Sequence, residues 1–355
     1  MISTSLIQRR KTREITVGNL KLGGSHPIRV QSMTTPKTDD VDAVVKQILD
    51  LEAAGCEMIR VTVNHQEAAD ALPAILKQIH IPLIADIHFD YKMALEALKH
   101  DVACVRINPG NIGAEWKTVD VVKAARDAGK AIRIGVNAGS LEKPLLKKYG
   151  HPTPEALVES ALASISLFET HNFYNFKVSI KSSDVLSNYR AYSLLSAQTE
   201  APLHLGVTEA GTKNYGAVKS SVGIGSLLLA GIGDTIRVSL SCDPVEEVKV
   251  GVYILKSLGL KNDAPEIIAC PSCGRADIDV YALAEEVERR ALGLKKNIKI
   301  AVMGCVVNGP GESMEADIGI AGGKGEGLVY KKGKAIKKVP EHEMLSYLMS
   351  EIERM

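Results

Sequence analysis

The stretch ACVRINPGNIGAEWKTVDVVKAARDAGKAIRIGV, residues 103–136, predicts one complete strand–helix–strand unit. Two short runs rich in β-branched residues, 103–107 and 131–136, flank the longer amphipathic stretch 117–128. Short strands that alternate with helices are typical of parallel sheets, because a parallel connection needs a crossover segment that is usually a helix. The unit therefore places this part of the chain in the α/β class.

The same alternation recurs from residue 28 to about residue 258. The predicted strands are 28–33, 58–63, 83–87, 103–107, 131–136, 176–180, 203–207 and 235–240. The predicted helices are 41–54, 67–78, 91–99, 117–128, 154–170, 184–199, 218–230 and 244–257. Eight such units favour a closed (β/α)8 barrel over a doubly wound sheet, which has no need of eight matched units.

Length and composition fit a barrel followed by a smaller domain. The chain has 355 residues, which predicts a barrel over 1–258 and a second domain over 259–355. A net charge of +1 and 4% aromatic residues leave no basic surface typical of nucleic-acid binding. The sequence contains no apolar run long enough to span a membrane and no apolar core of a signal peptide, so we expect a cytoplasmic protein.

Five of the predicted strands carry one cation each: Arg60, Arg106, Arg133 and Arg237 lie inside aliphatic runs, and Lys181 closes the run at 176–180. Because strand side chains alternate between two faces, each cation shares its face with other polar residues, and we expect that face to be the upper barrel lumen. Converging cations repel one another and are costly to desolvate unless an anion joins them. Arginine matches phosphate oxygens well, so the pattern predicts a phosphorylated small-molecule ligand.

A structural ion network is the alternative, with Asp86, Asp184 and Glu209 as the carboxylates. Three carboxylates against five cations would still leave the lumen positive, which favours the anionic ligand. The run 219–225, with its two glycines, is interpreted as a further phosphate-binding turn ahead of a helix. Asp86, His88 and Glu209 stand at predicted strand ends and are candidates for acid–base catalysis.

A second group of residues near the C-terminus resembles a metal site that lacks one thiolate. It consists of Cys270, Cys273, Cys305 and Glu312. Structural zinc sites and iron–sulfur clusters usually have four Cys or His ligands. A carboxylate binds the fourth iron of a cluster less tenaciously than sulfur does, so this position would be displaceable. We favour a catalytic cluster over zinc, and zinc over no metal.

Several longer stretches carry a resemblance to a known family. They are VQSM (30–33), ADIHFD (85–90), RINPGNI (106–112), RIGVNAGSL (133–141), TEAG (208–211), AVKS (217–220), GIGDTIRVS (231–239), ACPSC (269–273) and GCVVNGPGE (304–312). Over nearly its whole length the sequence resembles the bacterial 4-hydroxy-3-methylbut-2-enyl diphosphate synthases, the iron–sulfur enzymes of the non-mevalonate isoprenoid pathway.

The resemblance implies an oxidoreductase acting on CH or CH2 groups. Its substrate would be 2-C-methyl-D-erythritol 2,4-cyclodiphosphate, opened reductively with loss of water to 4-hydroxy-3-methylbut-2-enyl diphosphate. Two electrons would come from reduced flavodoxin or ferredoxin through a [4Fe-4S] cluster. The implied fold is a TIM barrel followed by a smaller α/β iron–sulfur domain similar to those of sulfite and nitrite reductases, in the two-domain bacterial form.

The resemblance also implies a role for each site residue. The cluster ligands would be Cys270, Cys273, Cys305 and Glu312, with Asn308 beside them. The diphosphate would be held by Arg60, Arg106, Arg133, Lys181 and Arg237, with hydrogen bonds from Asn137, Thr208 and Ser239. Asp86, His88 and Glu209 would line the reacting carbons, and Glu209 is our candidate for proton delivery.

The connection between the two predicted domains is short. The last helix of a (β/α)8 barrel ends at the bottom face, whereas active sites lie at the top. Residues 258–265, fully extended at about 3.5 Å per residue, reach roughly 28 Å, about one barrel height. We therefore predict a head-to-tail C2 homodimer in which the cluster domain of one chain covers the barrel mouth of its partner.

Two other functions are compatible with parts of the pattern. A phosphate-binding barrel lyase or aldolase with a structural zinc site would use the lumen cations but give the cysteines no part in catalysis. A non-enzymatic iron–sulfur redox protein would use the cysteines but leave the cations without a role.

Overall fold

The computed structural model describes residues 7–291 and 294–355. The chain divides into two compact units, one that ends at Leu260 and a second that spans Lys261–Met355. The division predicted from the sequence lies between residues 258 and 259.

The first unit is built around a parallel sheet. The first two strands of the unit, β1 (Ile15–Val17) and β2 (Leu20–Leu22), form a separate antiparallel pair. The strands of the parallel sheet are β3 (Arg29–Met33), β4 (Met58–Thr62), β5 (Leu83–Asp86), β6 (Cys104–Ile107), β7 (Ala131–Asn137), β8 (Phe176–Lys181), β9 (His204–Leu205) and β10 (Thr235–Ile236). In the described part of the chain, β3 to β10 form one eight-stranded sheet in the order β8-β7-β6-β5-β4-β3-β10-β9. A parallel bridge between Val178 and Leu203 joins its two ends, so the predicted (β/α)8 barrel is confirmed.

Helices follow the barrel strands along the chain. They are α1 (Val41–Ala53), α2 (Gln66–Leu76), α3 (Tyr91–Leu98), α4 (Pro109–Ile112), α5 (Glu115–Asp127), α6 (Lys143–Tyr149), α7 (Pro154–Thr170), α8 (Val185–Ser196), α9 (Lys213–Leu229) and α10 (Pro244–Ser257). Side-chain caps define several of their starts: Asp40, Thr153 and Asp243 each accept a hydrogen bond from a backbone N–H of the first turn.

Strand β9 is shorter than predicted because a side chain intervenes where it should pair with β8. The Tyr192 hydroxyl on α8 donates to the backbone oxygen of His204 at 2.5 Å and accepts from the backbone N–H of Ile180 at 3.2 Å. It thereby satisfies backbone groups that two adjacent strands would otherwise pair directly. Strand β10 is also shorter than the predicted 235–240.

Helix α9 corrects a second expectation. It begins at Lys213, so residues 219–225 lie inside the helix and do not form the predicted phosphate-binding turn. The glycine at 223 serves packing: a Cβ there would lie 2.5 Å from Val207 Cγ2, so only glycine lets the helix approach the barrel this closely.

The second unit is a separate α/β fold. Its elements are β11 (Glu266–Ala269), α11 (Val280–Ala291), β12 (Lys299–Met303), α12 (Gly309–Glu315), β13 (Ile318–Gly323), β14 (Glu326–Lys331), β15 (Lys334–Pro340) and α13 (Met344–Glu353). The strands form one sheet in chain order, in which β11, β12 and β13 are parallel and the last two pairings are antiparallel. Val287, Ile300, Ile320 and Leu348 lie in its fully buried core.

None of the helices in the described part of the chain is long and apolar enough to cross a membrane.

Candidate active site

The predicted cations lie inside the barrel. Arg60, Arg106, Arg133 and Lys181 are buried, and Arg133 is only 1% exposed. Arg106 on β6 and Arg133 on β7 are direct neighbours in the parallel register. Positions on one strand alternate between the helix layer and the lumen. Lys181 on β8 pairs with Asn137 and not with Arg133, so the cations form a layer on the lumen wall that extends over more than one level.

Asp86 is the carboxylate at the centre of this layer. Its oxygens lie 3.5 Å from Arg60 Nε, 3.3 Å from Arg106 Nη1 and 3.7 Å from His88 Nε2. Burial by itself would raise the pKa of Asp86, but the neighbouring guanidinium groups of Arg60 and Arg106 hold it below its ordinary value. The pKa of His88 is also lowered, first by burial and then by Arg106, despite the nearby carboxylate. Asp86 is therefore ionised and His88 neutral at pH 7.

Arg106 is held by the strand beside it. Its Nη2 donates to the backbone oxygen of Gly135 at 3.4 Å and to the side-chain oxygen of Asn137 at 3.0 Å, with the amide oriented to satisfy both of its partners. Gly135 is required at this point, because a Cβ would lie 2.4 Å from Arg106 Nε. Asn137, for which the resemblance implies a hydrogen bond to the ligand, thus orients a cation.

Two further partners of the cations were not anticipated. The sulfur of Met33 accepts from Arg60 Nη2 at 2.8 Å. Glu247 on α10 lies 3.4 Å from Arg237 Nη2 and accepts from the backbone N–H of Leu240 at 2.7 Å. Burial raises the pKa of Glu247, although Arg237 opposes the shift. A glutamate in the first turn of an amphipathic helix resembles a helix-start residue, so the sequence offered little signal for this contact.

The buried cations outnumber their buried carboxylate partners. Within residues 7–291 and 294–355, Arg133 Nε, Arg133 Nη1, Arg106 Nε and Arg237 Nε are buried without a hydrogen-bond partner. The pKa of Arg133 lies well below its ordinary value because of burial and then of repulsion by Arg60 and Arg106. Asp184, expected in an ion network, instead caps α8 by accepting from Ser187 N at 2.7 Å. Unpartnered guanidinium atoms in a lumen are the arrangement that an anionic ligand would complete.

The remaining predicted barrel residues lie at the strand ends. Glu209 is exposed and has a φ of +52°, a left-handed conformation that is uncommon for a residue other than glycine. Phe89, next to His88, is in the same region at +61°. Thr208 and Ser239 are half-buried. Strained backbone of this kind is concentrated at functional sites, so Glu209 and the loop after β5 are held in place by their surroundings at some energetic cost.

The cysteines of the second unit lie at one edge of its sheet. Cys270 follows β11 and Cys305 follows β12, and these strands are parallel neighbours. The backbone N–H of Gly304 donates to Cys270 Sγ at 3.3 Å. The pKa of Cys273 is lowered by the backbone N–H of Arg275 and then by its guanidinium group. A lowered pKa favours the thiolate, which is the form that binds metal.

The three cysteines and Glu312 are residue types that can bind an iron–sulfur cluster, but they do not form a closed metal site in this structure. Among the described residues, no group of three or more His, Cys, Asp or Glu is arranged to hold a metal ion. Glu312 lies in the first turn of α12, and Asn308 is the exposed residue directly before that helix, whose side chain makes no capping hydrogen bond. Three thiols following neighbouring strands, with a carboxylate in the adjacent helix, are the ligand types that a cluster with one exchangeable position requires.

The fold and the site together define a two-domain α/β protein with a cationic barrel lumen and a cysteine-bearing second unit. A family model described as "GcpE TIM-barrel domain" matches residues 12–252, and one described as "GcpE protein C-terminal domain" matches residues 266–354. The chain belongs to this family, whose curated members include the 4-hydroxy-3-methylbut-2-en-1-yl diphosphate synthases (flavodoxin), as the resemblance predicted.

Two relatives illustrate the similarity. The synthase of Caldanaerobacter subterraneus subsp. tengcongensis is 56% identical over 347 residues, which cover 98% of this chain and 98% of the relative. That of Clostridium perfringens is 54% identical over 347 residues, covering 98% of this chain and 99% of the relative. Both carry the name 4-hydroxy-3-methylbut-2-en-1-yl diphosphate synthase (flavodoxin).

Solved structures with low sequence identity share the fold alone. The sialic acid synthetase of Leptospira borgpetersenii matches with a TM-score of 0.52 and 14% identity, over 80% of this chain and 98% of that chain. A Yersinia pestis dihydropteroate synthase matches with a TM-score of 0.50 and 12% identity, over 70% of this chain and 98% of that chain.

Proposed function

We propose that this protein converts 2-C-methyl-D-erythritol 2,4-cyclodiphosphate to 4-hydroxy-3-methylbut-2-enyl diphosphate in the non-mevalonate isoprenoid pathway, with reduced flavodoxin as electron donor. Reduced ferredoxin is an alternative donor. Membership of the family supports the reaction. Within the molecule, the observation that carries the proposal is the excess of buried cations in the barrel, whose unpartnered guanidinium atoms a diphosphate would satisfy.

The overall reaction consumes two electrons and one proton. The C2–O bond to the diphosphate breaks and leaves a free terminal phosphate oxygen, the C3 hydroxyl departs as water, and a C2–C3 double bond forms. Negative charge increases on the diphosphate as the ring opens. Arg60, Arg106, Arg133, Lys181 and Arg237 would therefore bind the product diphosphate at least as strongly as the cyclic substrate, which lowers the cost of ring opening.

The neutral hydrogen-bonding groups would orient the ring within this cationic layer. Asn137, Thr208 and Ser239 follow or end barrel strands, next to the cations. Asp86 keeps Arg60 and Arg106 in place through its two oxygens. We assign proton delivery to Glu209, because a departing hydroxyl leaves as water only if it is protonated and Glu209 lies in the strained segment that follows β9, next to Thr208.

Cys270, Cys273, Cys305 and Glu312 would hold a [4Fe-4S] cluster, with Asn308 beside it. When bound, the cluster supplies electrons one at a time and a Lewis-acidic iron. The Cys273 thiol is already shifted toward the ligand form by Arg275. Glu312 would be the exchangeable ligand, because carboxylate oxygen is a harder and less tenacious donor than thiolate sulfur.

We further propose a head-to-tail homodimer in which the cluster domain of one chain covers the barrel of its partner. The short connection after α10 supports this arrangement through its limited reach. Mixed dimers of a barrel-inactive variant, Arg133→Met, and a cluster-inactive variant, Cys270→Ser, should recover part of the activity that each variant lacks alone. Proven mixed dimers without recovered activity would contradict the exchange of domains.

An anaerobic turnover assay tests the reaction. The purified holoprotein is mixed with the cyclic diphosphate and chemically reduced flavodoxin, and the linear diphosphate is measured by mass spectrometry. We expect product only when protein, substrate and reductant are all present. A holoprotein with a full complement of iron and sulfide that binds the cyclic diphosphate but forms no product would refute the proposed function.

A further inference from the structure

His204 is a buried polar residue that the mechanism above does not use. It lies on β9 with no exposed surface, and Thr235, its partner in the parallel register, is equally buried on β10. The His204 side chain has a polar neighbour on each ring nitrogen: Nδ1 lies 2.8 Å from Thr235 Oγ1, and Nε2 lies 3.4 Å from Lys181 Nζ. A histidine in this position connects the scaffold of the barrel to one of its lumen cations.

The hydrogen bonds specify the tautomer of the ring. Burial and then repulsion by Arg133 and Arg237 lower the pKa of Lys181 well below its ordinary value, and a bound anion would favour its charged form. In that form the ammonium group has donors and no acceptor, so His204 Nε2 accepts from Lys181 Nζ. Nδ1 then carries the proton and donates to the Thr235 hydroxyl. The ring must be neutral for this arrangement, and the pKa of His204 does lie well below its ordinary value because of burial and then of Lys181 and Arg133.

The same strand provides the space that Lys181 occupies. Gly206 follows His204 on the lumen face, and a Cβ at Gly206 would lie 2.7 Å from Lys181 Nζ and 2.7 Å from the backbone oxygen of Arg237. His204 and Gly206 therefore confine the amine from two positions of one strand. Within the described residues, no carboxylate oxygen forms an ion pair or a hydrogen bond with Lys181 Nζ, so the neutral ring holds the amine without giving it a counter-charge.

We propose that His204 is a positioning residue that holds Lys181 Nζ in place for the anion bound in the barrel lumen. A carboxylate in its position would pair with the lysine and compete with the ligand, whereas a neutral acceptor orients the amine and leaves its charge available. This inference rests on the proposed function only in taking a diphosphate as the anion.

A double-mutant cycle on ligand affinity tests the role. The variants are His204→Phe, Lys181→Met and the double variant, and the probes are inorganic diphosphate and the cyclic diphosphate. We expect His204→Phe to weaken binding about tenfold and Lys181→Met about 100-fold. If His204 acts through Lys181, the double variant binds as Lys181→Met does, because a residue without its target has nothing left to position.

Two further variants separate positioning from general stability. His204→Gln retains a carbonyl acceptor and should recover most of the affinity that His204→Phe loses. Tyr192→Phe removes a buried hydroxyl of α8 that bridges the backbones of β8 and β9, which should lower the unfolding temperature but leave diphosphate affinity within about twofold. If His204→Phe does not fold, Thr235→Val replaces it in the cycle. We expect Thr235→Val to lower diphosphate affinity about threefold, and only in protein that retains Lys181.

The possible outcomes distinguish this inference from the proposed function. The positioning role would be overturned if His204→Phe lowered diphosphate affinity by the same factor with and without Lys181. It would also be overturned if Tyr192→Phe lowered diphosphate affinity as much as His204→Phe does. Wild-type protein that binds inorganic diphosphate but not the cyclic diphosphate would overturn the proposed function, while the cycle with inorganic diphosphate would still decide the role of His204.

Discussion

Replacing Arg133 with methionine should stabilise the ligand-free barrel and abolish its affinity for diphosphate. Arg133 is 1% exposed, and its Nε and Nη1 have no hydrogen-bond partner among the described residues. An unsatisfied buried polar group costs about 1–3 kcal/mol, and charge increases that cost. Methionine refills most of the volume of the arginine stem without the charge. We expect the free energy of unfolding to rise by about 2 kcal/mol, which corresponds to an increase of about 4–8 °C in Tm.

Thermal unfolding followed by circular dichroism measures both effects. Wild-type protein should gain about 2.7 kcal/mol of stability at a diphosphate concentration of 100 times Kd, whereas Arg133→Met should gain little. Arg126→Met is the matched control, because Arg126 is an exposed arginine whose ion pair with Asp127, at 3.3 Å, lies at the surface. Its Tm should stay close to that of wild type, since exposed ion pairs contribute about 0–1 kcal/mol.

A ligand-free Arg133→Met protein that unfolds several degrees below wild type, with Arg126→Met unchanged, would refute the reasoning. It would mean that the lumen compensates the Arg133 charge even without a ligand. The unpartnered atoms would then be no evidence for an anion site.

Three further outcomes are expected. Glu209→Gln should retain cyclic diphosphate affinity within about threefold but lose about 100-fold in turnover, measured by anaerobic kinetics, and full turnover with an intact cluster would exclude proton delivery by this residue. Cys270→Ser should lose iron and acid-labile sulfide but bind inorganic diphosphate as wild type does, and a coupled loss of both would contradict separate sites. The pKa of His204 is lowered only in the folded state, so below about pH 6.5 the unfolded state binds a proton at His204 that the folded state does not. The free energy of unfolding therefore decreases by about 1.4 kcal/mol for each pH unit below that value. Denaturant unfolding should show a shallower decline for His204→Gln, and identical pH profiles would indicate that His204 is protonated when folded.

The barrel could be predicted from the sequence because the hydrophobic periodicity and the residue composition of each segment indicate its secondary structure directly. Few folds other than a parallel α/β sheet fit short β-branched runs that alternate with amphipathic stretches. A cation inside such an apolar run is unusual and therefore easy to recognise in the sequence. Helix α9 was more difficult. The glycine at 223 packs against the barrel, whereas the sequence alone suggested a turn at 219–225, because close helix packing and tight turns both require a residue without a Cβ.

Specific side-chain contacts between different elements could not be predicted. Glu247 meets Arg237 because the first turn of α10 folds back on the segment after β10, where Glu247 also accepts from the backbone N–H of Leu240. Its acidic position near a helix start has an independent explanation. His204 was missed for a similar reason. It interrupts the aliphatic run at 203–207, but its meaning depends on Lys181 and Thr235, which lie on the two neighbouring strands.

The lumen has the properties of a preorganised anion site. Hydrated cations would have to lose water and side-chain freedom when a ligand binds, which reduces affinity. Here Asp86, Asn137, Met33 and His204 have already fixed Arg60, Arg106 and Lys181 as the chain folds. The free-energy cost of removing these cations from water is therefore offset when the barrel folds, and a diphosphate bound there would meet cations that need not reorganise. The same reasoning explains why the neutral partners matter: a carboxylate for each cation would stabilise the empty barrel and weaken binding of the ligand.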